Sequence, residues 1–275
     1  MYKMNEILKN LMVGTISAGM LVGTAVADKL DDVLQRGTLR CAVVLDFPPM
    51  GFRDQNNQPV GMDVDYCADL AAAMGVKHQV VGVTWAERIP ALITGRVDVA
   101  IASTSDTLER AQTVGFTIPY MVFQFQALIP ADSDISTWED LRTARVGAAV
   151  GTTYESEFLA YKEANWGDSG RYLSFQSENE SFLAVSQGQV DAVIVTDTAA
   201  ANVVESGRFG DLKLGPVAPF GADVVGMMTL RSEYGWINYL NLFINRQVRT
   251  GRYEELYGKW IGGEAPSLIT PNVYY

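Results

Sequence analysis

Short apolar runs alternate along this chain with longer stretches in which apolar residues recur every three or four positions. Residues 39–45, 79–83 and 97–102 are runs of the first kind, each the length of a strand and without an every-second-residue polar pattern. Such runs predict strands covered on both faces, and therefore parallel sheets with helices on either side. Between them, residues 62–74 place Met62, Tyr66, Leu70 and Met74 on one helical face, and residues 86–94 form a second helix ended by Gly95.

The pattern then repeats. TLRCAVV at 38–44 is echoed by TARVGAAV at 143–150, and GRVDVAIA at 95–102 by GQVDAVIV at 188–195. The two echoes are separated by similar distances, so whole βαβ units are repeated and the chain holds two similar α/β lobes. The second lobe is expected to use strands at 145–150, 172–175 and 190–195, with helices at 153–164, 180–187 and 198–204. Extended segments at 121–129 and 219–230 read as two crossings between lobes, hinged near 123–127 and 221–226. Helices at 234–250 and 253–260 return to the first lobe. The expected division is 28–124 and 222–275 for lobe one and 125–221 for lobe two. A ligand in such a fold belongs between the lobes, at the carboxyl ends of the strands.

Residues 1–27 stand apart. Lys3 and Lys9 precede an apolar stretch at 11–26, and Ala25-Val26-Ala27 is a small-residue cleavage site, so a secretory signal peptide is expected and the mature chain is exported. The apolar stretch is short for a membrane anchor and holds three glycines. The whole chain has a formal charge of −11, and loss of a leader carrying two positive residues and one negative makes it −12. That balance disfavours nucleic acid and anionic membranes as partners.

Cys41 lies in an apolar run and Cys67 on the apolar side of the next helix. They are read as two small buried side chains, although export makes a disulfide chemically permissible. The single histidine, His78, follows Lys77 at the start of a strand and is read as a surface residue. One histidine and two cysteines offer no metal-ligand spacing, and no cofactor is expected.

At the end of the 97–102 strand, Ser103, Thr104, Ser105 and Thr107 precede Glu109 and Arg110. Asp106 and Glu109 have capping-box spacing, which predicts a helix start with outward-facing N–H groups. Hydroxyls, helix amides and a guanidinium together suit a carboxylate. Lobe two offers a matching set: Gly151-Thr152-Thr153 after one strand, and Thr196-Asp197 after another. An anion site facing a carboxylate across a cleft would read the two ends of a zwitterion.

The runs GTLRCAVVLDFPPMGFRD, PVGMDVDYCADLAAAMG, TWAERIPALITGRVD, STSDTLERAQTVGFTIPY, VGAAVGTTYESEF, GQVDAVIVTD and TGRYEELYGKW occur in that order. In them the chain resembles the periplasmic solute-binding proteins, family 3, of ABC importers for polar amino acids. The resemblance covers essentially all the mature chain. It implies a type II periplasmic-binding-protein fold, with a mostly parallel sheet in each of two lobes. It implies a monomer that captures an amino acid or derivative and delivers it to a membrane permease. It puts Arg110 on the ligand carboxylate with the N–H groups of Ser105 and Thr153. It puts Asp197 on the ammonium with the carbonyl of Ser103 and the hydroxyl of Ser105. Phe47 and Trp85 match positions whose rings sandwich the ligand side chain.

Two departures follow. Val44 stands where members for basic ligands have an acid and members for acidic ligands an arginine, and Ser103 and Thr104 stand where relatives often begin with glycine. With Val44 and Ala149 small and apolar, an uncharged ligand side chain is expected. Asp46 is expected to point away from Phe47, and Glu155 and Glu178 to face water.

Two other functions share the fold. Enzymes like cyclohexadienyl dehydratase eliminate water and carbon dioxide from prephenate and need a cleft acid, but Ala200 stands where that acid would be sought. Glu178 is the other candidate, and its position reads as a solvated loop. No catalytic residue is therefore assigned. A ligand-sensing accessory protein would use the same site.

Overall fold

The computed structural model describes residues 28–268, so the expected leader lies outside the described residues. The first lobe begins with helix α1 (Lys29–Arg36) and strand β1 (Thr38–Val44). A small hairpin sheet follows, of β2 (Asp46–Phe47), β3 (Gly51–Arg53) and β4 (Pro59–Val60). Then come α2 (Met62–Met74), β5 (Lys77–Val83), α3 (Arg88–Ile93), β6 (Val99–Ser105), α4 (Leu108–Ala111) and β7 (Val114–Phe123).

The second lobe holds β8 (Phe125–Pro130), a 3-10 helix (Trp138–Thr143), β9 (Arg145–Ala149), α5 (Thr153–Trp166), β10 (Arg171–Phe175), α6 (Glu178–Ser186), β11 (Ala192–Thr196), α7 (Asp197–Ser206) and β12 (Leu212–Val217). The chain returns through β13 (Asp223–Leu230) and ends in α8 (Tyr234–Arg249) and α9 (Arg252–Trp260).

Each lobe is built on a five-stranded sheet, ordered β5-β1-β6-β13-β7 in one and β10-β9-β11-β8-β12 in the other. The three strands read from apolar runs in each lobe are parallel neighbours. The crossing strands join them antiparallel, so each sheet is mixed. The crossings form a ribbon: β7 pairs with β13 up to Phe123 opposite Asp223, and β8 pairs with β12 from Gln126 opposite Val217.

The sequence repeat has a physical basis in one ion pair made twice. In lobe one Asp98 accepts hydrogen bonds from the backbone N–H of Arg40 at 2.9 Å and from its Nη2 at 2.8 Å, while its own N–H donates to the Arg40 carbonyl. In lobe two Asp191 does the same for Arg145. The aspartate of each G-x-V-D run thus ties the start of one central strand to the next.

The two cysteines are a correction to the sequence reading. They form a disulfide between β1 and α2, with a Cα–Cα separation of 6.2 Å. Helix α2 lies across β1 at side-chain reach, a tertiary distance that two apolar segments read separately do not contain. Gly61, at φ 129° before α2, lets the start of that helix close on the Met50 turn, because a Cβ there would meet the Met50 carbonyl at 2.3 Å. His78 is exposed on β5. Among the described residues no helix is long and apolar enough to cross a membrane, and no group of three or more metal-ligating side chains occurs.

Candidate functional site

Strand β6 runs three residues further than its apolar run predicts, to Ser105, and is buried throughout. The expected capping box of Asp106 and Glu109 does not form. The Asp106 N–H donates to the Val224 carbonyl on the neighbouring strand, which keeps the chain extended past Ser105. Thr107 instead caps the four-residue α4, its hydroxyl accepting from the Arg110 N–H.

Ser103 sits in the left-handed region at φ 43°, where a glycine is at ease and a side chain is strained. Its N–H donates to the Tyr120 hydroxyl at 2.9 Å, and its own hydroxyl donates to Asp63 at 3.2 Å. The Tyr120 hydroxyl donates to the other Asp63 oxygen at 2.8 Å. Asp63 is buried, and burial pushes its carboxyl up to about 8, against the pull of Tyr120 and Ser103. The Ser103 hydroxyl is therefore turned into the protein, away from the cleft.

Arg110 reaches across the cleft. Its Nη1 donates to the Thr153 hydroxyl at 2.9 Å and to the Ser105 carbonyl at 3.2 Å, and its Nη2 to the Gly151 carbonyl at 3.3 Å. The Thr153 hydroxyl donates to the Ser105 hydroxyl at 2.6 Å. Burial lowers the guanidinium's pKa, and Asp223 counters this. Arg110, Ser105 and Thr153 are thus brought together by contacts between the lobes.

Arg88 is a site residue that sequence reading missed. It is buried at the start of α3, with Nη1 donating to the Ala102 and Ser103 carbonyls and to the Thr104 hydroxyl. Its Nη2 donates to the same Gly151 carbonyl at 3.1 Å, and its guanidinium lies 4.7 Å from the centre of the Trp85 ring. Burial, then the charge of Arg110, lowers its pKa to about 9. Gly151, at φ 80°, turns the one carbonyl that both guanidiniums share. Asp223, at the start of β13, was also missed. Burial pushes it up to about 6, offset by Ser105, Arg110 and Arg88.

A narrow cavity lies between the lobes. Phe47, Trp85, Arg88, Ser103, Ser105, Phe123 and Asp223 line it from lobe one and the crossings, and Thr152, Thr153, Tyr154 and Thr196 from lobe two. Two of these carry buried polar atoms without a hydrogen-bond partner, the Trp85 Nε1 and the Tyr154 hydroxyl. A more open hollow shares Ser105, Thr153 and Asp223 and leads outward beside the second crossing.

Several expected residues lie elsewhere. Val44 and Ala149 are buried and do not line the cavity. Phe47 and Trp85 line it but touch edge to face, centroids 4.9 Å apart, instead of standing apart as a sandwich. Asp197 is outside the lining: its Oδ1 accepts from the Thr198 N–H and its own N–H donates to the Gln124 carbonyl. Strand β11 continues through Thr196, which faces the cavity and caps α7, so the carboxylate falls one position past the cleft. Ala200 is buried in α7. Glu155 accepts from the Gly151 N–H and the Tyr172 hydroxyl. Glu178 corrects the reading of a solvated acid. It is fully buried beside Asp46, with neither carboxyl oxygen hydrogen-bonded.

Two α/β lobes joined by a two-strand ribbon, with a narrow polar cleft between them, define a two-lobe binding protein. The chain belongs to the bacterial extracellular solute-binding proteins, family 3, whose model matches residues 39–263. It is 24% identical over 269 residues to the L-cystine-binding protein TcyJ of Escherichia coli (95% of this chain, 98% of that protein). It is 26% identical over 265 residues to a putative ABC transporter arginine-binding protein 2 of the same species (92% and 99%). Among solved structures it resembles the arginine-binding protein ArgBP of T. maritima, as a mutant (TM-score 0.77, 28% identity, 86% and 100% coverage). It equally resembles an ancestral amino-acid-binding protein described as a precursor of cyclohexadienyl dehydratase (TM-score 0.77, 30% identity, 85% and 100%). The match to the Pseudomonas aeruginosa cyclohexadienyl dehydratase itself, 34% identical, covers 34% of this chain.

Proposed function

We propose that this protein captures an amino acid or amino-acid derivative between its lobes and, closed, delivers it to the membrane permease of an ABC importer. The observation that carries this reading is the contact of Arg110 and Ser105 with Thr153 across a nearly shut cleft. The same donors that clasp the lobes would grip a ligand carboxylate, which is how a ligand gains affinity for the closed state over the open one. Its match, over almost the whole length of each, to an L-cystine-binding protein and to a putative ABC transporter arginine-binding protein supports it. The ammonium is assigned to Asp223 in place of Asp197, because Asp223 is the carboxylate that lines the cavity. Trp85 Nε1 and the Tyr154 hydroxyl are assigned to polar atoms of an uncharged ligand side chain. The mature protein acts as a monomer in the periplasm.

A thermal-shift screen of the mature chain against amino acids and related zwitterions, followed by calorimetry, tests the reading. Saturable stabilisation by at least one of them is expected; none at millimolar ligand would overturn it. One observation favours a second reading: Asp223, pushed up to about 6 in the cleft, has the character of a general acid. Consumption of prephenate by wild type and not by Asp223→Asn would establish an elimination enzyme.

A further inference from the structure

Asp46 and Glu178 meet where the lobes meet. Asp46 lies in β2 of the first lobe and Glu178 opens α6 of the second, and an Asp46 oxygen accepts the Glu178 backbone N–H at 3.1 Å. The Glu178 side chain is fully buried, and both of its carboxyl oxygens lack a hydrogen-bond partner.

Among the described residues no cation compensates it. The strands packed on α6 are β2, β8, β9, β10 and β11. Their ionisable residues are Asp46, Arg145, Arg171 and Tyr172. Arg145 is held by Asp191, Arg171 is exposed at the far end of β10, and the Tyr172 hydroxyl is bonded to Glu155. On α6 itself, exposed Glu180 accepts from the Gln176 N–H. Burial, then the like charge of Asp46, raises the Glu178 carboxyl well above its ordinary range, against the pull of the Ser181 hydroxyl. A fully buried carboxyl with no hydrogen-bond partner and a second acid beside it is not held ionised without a counter-ion, so Glu178 is protonated in this arrangement. Because Asp46 belongs to the other lobe, parting the lobes takes its charge and its bond to the Glu178 N–H away from Glu178.

We propose that closing the lobes carries one proton into the protein at Glu178, so that ligand capture tightens as the pH falls. The inference rests on the reading of two lobes closing on an amino acid. The sign follows from linkage: a carboxyl whose pKa is higher in the closed state binds more protons there. Affinity is then undiminished below the carboxyl's ordinary pKa of about 4.3 and falls as the pH rises, by up to about tenfold per pH unit for one proton.

The test is calorimetry of the mature chain with L-arginine, L-glutamine and L-cystine between about pH 5.5 and about pH 8.5, in paired buffers of different ionisation enthalpy. Every probe that binds wild type should show proton uptake and weaken with rising pH. Glu178→Gln, which keeps the shape and carries no charge, should bind with no uptake and a flatter profile. A wild type without uptake, or a Glu178→Gln variant with the same uptake, overturns the proposal. So does a variant that loses L-arginine alone, because the acid pair would then be reading a cation. Absence of binding by all three probes moves the titration to the zwitterion that the thermal-shift screen returns, and a screen without a hit strikes the amino-acid reading instead.

Discussion

At the scale of single residues, the cleft is governed by charges held out of water. Arg110→Ala should leave the fold intact and weaken ligand binding by at least about tenfold, since a charged hydrogen-bond partner contributes on the order of 1.5–3 kcal/mol. Unchanged calorimetric affinity would remove Arg110 from the site. Asp223 and Asp197 can be separated by the same substitution in each. Asp223→Asn should lower affinity by at least about tenfold, as expected for a buried charge partner. Asp197→Asn should leave affinity within about twofold, because its bond to the Thr198 N–H survives in the amide. The opposite ranking would return the ammonium to Asp197. Asp63 makes a pH prediction. Its folded pKa, about 8, lies above the unfolded value, so its protonated form favours the fold and that contribution is lost as the pH rises towards 8. Melting temperature should therefore fall across that range in wild type and less so in Asp63→Asn; equal slopes would refute it.

At the scale of elements, the disulfide joins a central strand to the helix that covers it and closes a loop of 26 residues. Its removal should cost about 3 kcal/mol, largely through the unfolded chain. Under reducing conditions the melting temperature should fall by roughly 6–12 °C, and an unchanged melt would show the bridge to be dispensable. The elements themselves were legible where burial is symmetrical. The runs of β1, β6, β9 and β11 are apolar because both faces of their sheets are covered. The hairpin of β2, β3 and β4 was not legible, since strands of two or three residues are too short to show a period. The site was legible where a hydroxyl, a glycine or an arginine follows a strand, as with Ser105, Thr153 and Arg110. It was illegible for Arg88, Asp223 and Glu178. A charged residue in sequence gives no sign of burial, which here depends on the opposite lobe or on a distant strand.

At the scale of the molecule, the cross-lobe bonds of Arg110 and Arg88 to the loop at Gly151 belong to a closed form. With ligand, small-angle scattering should show a smaller radius of gyration as the lobes turn about the crossings. Equal radii with and without saturating ligand would mean the lobes do not move.

The pairing of Phe123 with Asp223 means that the second lobe leaves and re-enters the first at two points lying side by side. In construction terms it is a cassette spliced into a hairpin: replacing residues 124–222 by a short turn would let β7 run straight into β13. The first lobe keeps its disulfide and its Arg40–Asp98 tie, and the excised cassette keeps Arg145–Asp191. Each piece, made separately, should therefore fold, and lobes of this design can be exchanged between chains without recutting either core.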